Sequence, residues 1–103
     1  MSVRIEINYL DRQKPRGVVG YRQPVKVNSA FQVFSNDGTL KFRFKGDFPF
    51  PQDPGELAGN TDHIATKPGH YKFKCTIHTP DGHDVELDPD NLSDIGGEIE
   101  IIP

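Results

Sequence analysis

Short runs of alternating apolar and polar residues, interrupted by glycine and proline, restrict the fold of this chain more than any other feature. Gly and Pro together make up 19 of its 103 residues. No long segment repeats apolar side chains with the 3.6-residue period of a helix. Alternation with a period of two is typical of strands that bury one face. The sequence therefore predicts an all-β protein built from short strands and turns.

Seven segments carry this alternation, and an eighth, at Val85 and Leu87, is shorter. Strands of this kind, separated by turns, pack most naturally as a two-sheet sandwich. The whole chain, residues 1–103, is of a length that forms one domain with its own core. The proline-rich stretch 48–60 predicts a long irregular connection. The seven predicted strands lie within residues 3–9, 24–27, 31–34, 40–44, 61–66, 71–76 and 98–102.

The single cysteine and the absence of long apolar runs bear on compartment. One cysteine permits no internal disulfide, so nothing in the composition indicates an oxidising compartment. No apolar run reaches the length of a membrane span, so we expect no membrane partner. The chain as written is expected to be cytoplasmic, or periplasmic or secreted if a leader has been removed.

The charges are unevenly distributed along the chain. All twelve Lys and Arg lie at or before Lys74, which gives +5 up to that residue and −8 after it. This pattern argues against a nucleic-acid binder, which needs a basic surface for phosphates. The acidic 81–100 region could instead contact a basic protein partner or a hard cation. The simpler interpretation is a solvated acidic loop.

Residues 69–78, Gly-His-Tyr-Lys-Phe-Lys-Cys-Thr-Ile-His, contain the only cysteine and a histidine three positions later. A thiolate and an imidazole at this separation can reach one metal ion from the end of a strand and the loop that follows it. The same residues also fit a core strand that ends in a polar loop. In that interpretation Cys75 is a small buried hydrophobe.

The same ten residues resemble the penultimate strand and ligand loop of cupredoxins, the plastocyanin-like blue-copper proteins, whose pattern is Gly-x-Tyr-x-Phe-x-Cys-x-x-His. Residues 24–37 are similar to the strands that lead to the first ligand loop of that family. Residues 97–101 are similar to its final strand. The resemblance covers residues 20–46 and 61–103. It implies a cupredoxin-like, antiparallel, two-sheet Greek-key β-sandwich of about seven or eight strands.

The copper ligands that the resemblance implies are incomplete. A blue-copper site uses two imidazoles, one thiolate and a weak axial ligand such as Met. Residues 36–41, where the first histidine would lie, contain no histidine, and the only methionine is Met1. The chain therefore resembles a divergent member of the family with an incomplete type 1 copper site.

The loop itself offers a different ligand set. The spacing Cys75-x2-His78-x4-His83 places His83 where many cupredoxins have their methionine. These three residues would hold copper or zinc, with Asp37 or a backbone carbonyl as a fourth ligand. A second alignment, counted back from the last strand, places Ile95 at the axial position. The sequence does not choose between the two alignments.

The four histidines also have simpler interpretations. His78 and His83 flank a strong turn sequence, where histidines are usually solvated. His70 is expected at the surface, on the side away from Cys75, and His63 is expected to be structural.

Two functions follow from these observations. The first is a non-enzymatic binding or structural module that keeps the fold without the standard blue-copper site. The alternative is an atypical copper or zinc protein that uses Cys75, His78 and His83 in metal handling or electron transfer. No enzyme is predicted, because no group marks an oxyanion hole or orients a Cys–His pair. We expect a monomer or a weak oligomer.

Overall fold

A computed structural model describes residues 3–8, 18–19, 24–88, 90 and 97–103. This part of the chain forms ten strands and no helix, arranged in two sheets. It therefore contains no helix of the length and apolarity that a membrane crossing needs. The strands are β1 Val3–Asn8, β2 Val18–Val19, β3 Val25–Lys26, β4 Ala30–Phe34, β5 Thr39–Lys45, β6 Leu57–Ala58, β7 His63–Ile64, β8 Gly69–His78, β9 Asp84–Leu87 and β10 Glu98–Ile102.

The predicted all-β, two-sheet fold is confirmed. One sheet has the strand order β2-β1-β4-β7, and the other has β3-β10-β8-β5-β6, with β9 also paired to β8. Two pairs, β1 with β4 and β3 with β10, run parallel, whereas the other pairs are antiparallel. The described strands outnumber the seven or eight expected because four of them are only two residues long.

The core lies between the sheets and uses alternate residues of each long strand. In β5 and β8 every second side chain is buried, and the intervening side chains are mostly exposed and charged. Aromatic rings fill the centre of the core, where the ring centroids of Phe42 and Phe73 lie 5.3 Å apart. The largest fully buried side chains include Ile7, Phe31 and Val33 from the first sheet and Phe42, Phe73, Ile77 and Ile101 from the second.

The connections differ from the predicted ones in two places. Only His63–Ile64 of the predicted strand 61–66 forms a strand, and the predicted irregular stretch 48–60 contains β6. Beyond β6, the Gly59 N–H donates to the Leu40 carbonyl (2.8 Å), and the Asn60 N–H donates to the Val33 carbonyl (2.7 Å). Leu40 and Val33 belong to different sheets, so these two bonds connect the segment after β6 to both.

Candidate functional site

Cys75 lies in the middle of β8, with its side chain in the core. It is 2% exposed, and its Cα neighbours across the sheet are Phe42 on β5 and Leu87 on β9. Burial in these apolar surroundings raises the pKa of the thiol well above its ordinary value. The thiolate is the form that binds metals and attacks electrophiles. Because burial disfavours the thiolate, Cys75 in this position is a poor metal ligand and a poor nucleophile.

His78 lies on the opposite face of the same strand. β8 does not end before this residue, because His78 still pairs with Thr39 on β5 and with Asp84 on β9. Residues three positions apart in a strand point to opposite faces. The His78 side chain is 61% exposed, and its Nδ1 lies 2.6 Å from Asp84 Oδ1. The strand therefore directs the Cys75 thiol inward and the His78 imidazole outward.

His83 is exposed at the end of a tight turn between β8 and β9. The turn is closed by Thr79, whose N–H donates to the His83 carbonyl (2.8 Å). The His83 N–H donates in return to Thr79 Oγ1 (3.1 Å). Thr79 is only 1% exposed, and its hydroxyl also contacts Asp81. The Thr-Pro-Asp-Gly sequence predicts a turn here. It does not predict that the buried Thr79 closes that turn through its N–H and hydroxyl groups.

The predicted ligands Cys75, His78 and His83 are thus not brought together. In the described part of the chain, no three or more His, Cys, Asp or Glu side chains are grouped so that they could hold a metal ion. Asp37, the suggested fourth ligand, lies between β4 and β5, where its N–H donates to Ser35 Oγ. Ile95, the other candidate for the axial position, lies outside the described residues.

The two remaining histidines lie where the sequence predicts. His63 packs its ring against Phe31 and Phe42, with centroid distances of 5.9 and 5.5 Å. Its Nε2 also lies 2.9 Å from the Ala58 carbonyl oxygen. His70 is exposed, and its Nε2 lies 3.6 Å from Glu98 Oε2. His63 therefore has a structural environment, and His70 has a surface one.

The exposed side of β5 and β8 carries a basic cluster that the sequence alone does not reveal. We call it the basic face, and it consists of Lys41, Arg43, Lys45, Lys72 and Lys74.

Asp88 and Asp90, just after β9, lie against the basic face. Lys45 Nζ is 2.6 Å from Asp88 Oδ1 and also contacts Asp90. Lys72 Nζ is 3.0 Å from Asp90 Oδ1, and Lys74 Nζ is 3.5 Å from Asp88 Oδ2. Hydrogen bonding to Lys45 lowers the pKa of both carboxyl groups, and the bond to Asp88 is the main cause of the raised pKa of Lys45. Part of the acidic region is therefore paired with the chain's own lysines.

Comparison with known proteins adds no family assignment. No protein-family model matches the chain, and no curated protein or solved structure is significantly similar to it. The resemblance to cupredoxins stays a prediction, carried by the motif residues in β8 and the flanking strands.

Proposed function

We propose that this protein is a non-enzymatic binding module with a cupredoxin-like, Greek-key sandwich and no working blue-copper site. One observation carries the proposal. Cys75 and His78, the two residues that the family motif would place on one metal ion, point to opposite faces of β8.

The strand pairing around β8 supports this proposal. To meet one metal ion, the Cys75 thiol and the His78 imidazole would have to leave opposite sides of a strand that is paired on both edges. His78 would give up its positions opposite Thr39 and Asp84, and Cys75 would leave the core. Each ladder hydrogen bond contributes about 1 kcal/mol, and opening the core adds to that cost.

The charged surface supports binding to a protein rather than to nucleic acid or membrane. Acidic groups interrupt the basic face, since Asp88 and Asp90 lie on it and Glu56 lies 3.7 Å from Lys41. A continuous positive stripe for phosphates is therefore absent from the described part of this sheet. The acidic 81–100 region is less available to a basic partner than its sequence suggests, because Asp84, Asp88 and Asp90 already have cationic or histidine partners.

A copper titration tests the proposed loss of the site. Copper(II) is added to the reduced, metal-free protein, and its visible spectrum is recorded. We expect no intense thiolate-to-copper charge-transfer band, and we expect wild type and Cys75→Ser to give the same spectrum. A band that disappears in Cys75→Ser and in His83→Ala, but persists in the surface control His70→Ala, would establish the alternative site of Cys75, His78 and His83.

A further inference from the structure

The basic face contains two like-charged pairs in direct register. Arg43 on β5 lies opposite Lys74 on β8, and Lys45 lies opposite Lys72. Like charges directly opposite each other in an antiparallel pair destabilise the sheet. Anionic groups above these two strands would relieve that repulsion.

The chain supplies carboxylates of its own to both ends of the face. Glu56 Oε1 lies 3.7 Å from Lys41 Nζ at one end, and closer ion pairs form at the other. Asp88 and Asp90 lie against Lys45, Lys72 and Lys74. The two carboxylates are two residues apart in sequence, and the Asp90 N–H donates to Asp88 Oδ1 at 3.0 Å. This contact shows which chemistry fits the face, namely carboxylates carried by a short turn of polypeptide.

Arg43 lies in the middle of the basic face, between Lys41 and Lys45 on β5 and opposite Lys74 on β8. Among the residues that the structure describes, Arg43 makes no ion pair, while its neighbour Lys41 has only the 3.7 Å contact with Glu56. A groove of about 340 Å³ lies beside Arg43, and its charged lining residues are Lys41, Arg43, Lys74, Glu56, Glu86 and Asp88. A guanidinium has five donors in a planar fork that matches a carboxylate in two bonds.

We propose that the basic face binds a carboxylate-rich segment of a partner protein, and that Asp88 and Asp90 cover part of the face until that segment displaces them. The incoming carboxylates engage Arg43 first, because its guanidinium has no ion-pair partner among the described residues, and then compete for Lys45 and Lys74. The ion pairs that must be broken are half-buried at Lys45 and Asp88 and exposed at Lys72 and Lys74. Pairs that solvent reaches are weak and sensitive to salt, so displacement is feasible. This inference deepens the proposed binding function and rests on it.

The test uses a fluorescently labelled peptide with the sequence of residues 84–94 and a control peptide in which the residues equivalent to Asp88 and Asp90 are asparagine. Binding is measured by fluorescence anisotropy to wild type, to the double variant Asp88→Asn/Asp90→Asn and to Arg43→Gln. If the face is covered in roughly nine molecules of ten, the double variant binds the acidic peptide about tenfold more tightly than wild type. Arg43→Gln weakens binding, whereas Lys26→Gln, which removes an exposed charge from β3 in the same sheet, does not.

Several outcomes would overturn the inference. One is the absence of peptide binding to both wild type and the double variant, and another is equal weakening by Lys26→Gln and Arg43→Gln. If wild type and the double variant bind the acidic peptide with equal affinity, Asp88 and Asp90 do not compete with it for the basic face. Tighter binding of an oligonucleotide of equal charge would assign the face to nucleic acid. Arg43→Gln breaks no ion pair within the described residues, so it should fold like wild type. Its affinity for the acidic peptide therefore tests the inference even if the double variant does not fold. If the acidic peptide does not bind, the copper titration still tests the proposed loss of the metal site independently.

Discussion

Replacing Phe42 with alanine should lower the free energy of unfolding by about 4 kcal/mol, the cost expected for removing a large aromatic side chain from a packed core. Phe42 is 1% exposed. Its ring lies 5.3 Å from that of Phe73, 5.5 Å from His63 and 5.9 Å from Phe44, measured between centroids. Because these partners are held in place by their own strands, the surrounding residues can fill little of the space that the ring leaves.

Chemical denaturation followed by circular dichroism measures this change. Thr39→Ala is the matched control, since Thr39 is exposed on the same strand and its replacement should change stability by about 0.5 kcal/mol or less. A loss below about 1.5 kcal/mol for Phe42→Ala would show that the ring is not at the centre of a close-packed core.

Gly59→Ala should lower the free energy of unfolding by about 3 kcal/mol, because the new methyl group has no room. A Cβ at this position would lie 2.4 Å from the Leu40 carbonyl oxygen and 3.0 Å from that of Val33. Both atoms belong to the backbone of strands, so relief requires one strand to move. That movement breaks the Gly59 and Asn60 hydrogen bonds that reach the two sheets.

Gly46→Ala separates this steric effect from the general effect of adding a side chain to a glycine. Gly46 has a positive φ of 74°, but no atom lies within 4 Å of the position that a Cβ would take. Its replacement should therefore cost only about 1 kcal/mol from backbone strain. Thermal or urea unfolding of the two variants side by side makes the comparison. Equal losses would contradict the close approach of Gly59 to both sheets.

The inward and outward faces of the long strands can be predicted from the sequence, because a period of two fixes them locally. The alternation places Leu40 and Phe42 of β5 on one face, and Tyr71 and Phe73 of β8 on one face, and all four are buried. Strand direction cannot be predicted in the same way. Parallel and antiparallel strands present the same alternation, so the parallel pairs β1–β4 and β3–β10 leave no local signal.

The basic face and its aspartates could not be predicted, because their contacts span long distances in sequence. Lys45 and Asp88 are 43 residues apart, and only the pairing of β8 with both β5 and β9 brings them together. The uneven charge distribution is visible in the sequence. The structure shows that some of the C-terminal carboxylates form ion pairs with lysines from earlier in the chain. A count of charges along the sequence cannot reveal these pairs.

The placement of Cys75 and His78 on opposite faces depends on where β8 ends. A strand that ended at residue 76 would leave His78 in a loop, free to turn toward the thiol. Pairing with β9 extends the strand through His78, and the closed turn at Thr79 holds that pairing in register. Apolar Ile77, which is fully buried, is the sequence signal that the alternation continues to that point.

The rate at which the Cys75 thiol reacts with Ellman's reagent tests most directly the claim that this residue belongs to the core and not to a metal site. The measurement is made on reduced, metal-free protein at about pH 8, near the ordinary pKa of a cysteine. We predict that the native protein reacts at least about a thousandfold more slowly than the urea-unfolded chain, since the reagent reaches the sulfur only through unfolding. Reaction of the native protein at a rate close to that of the unfolded chain would place the thiol at an accessible site and contradict this account.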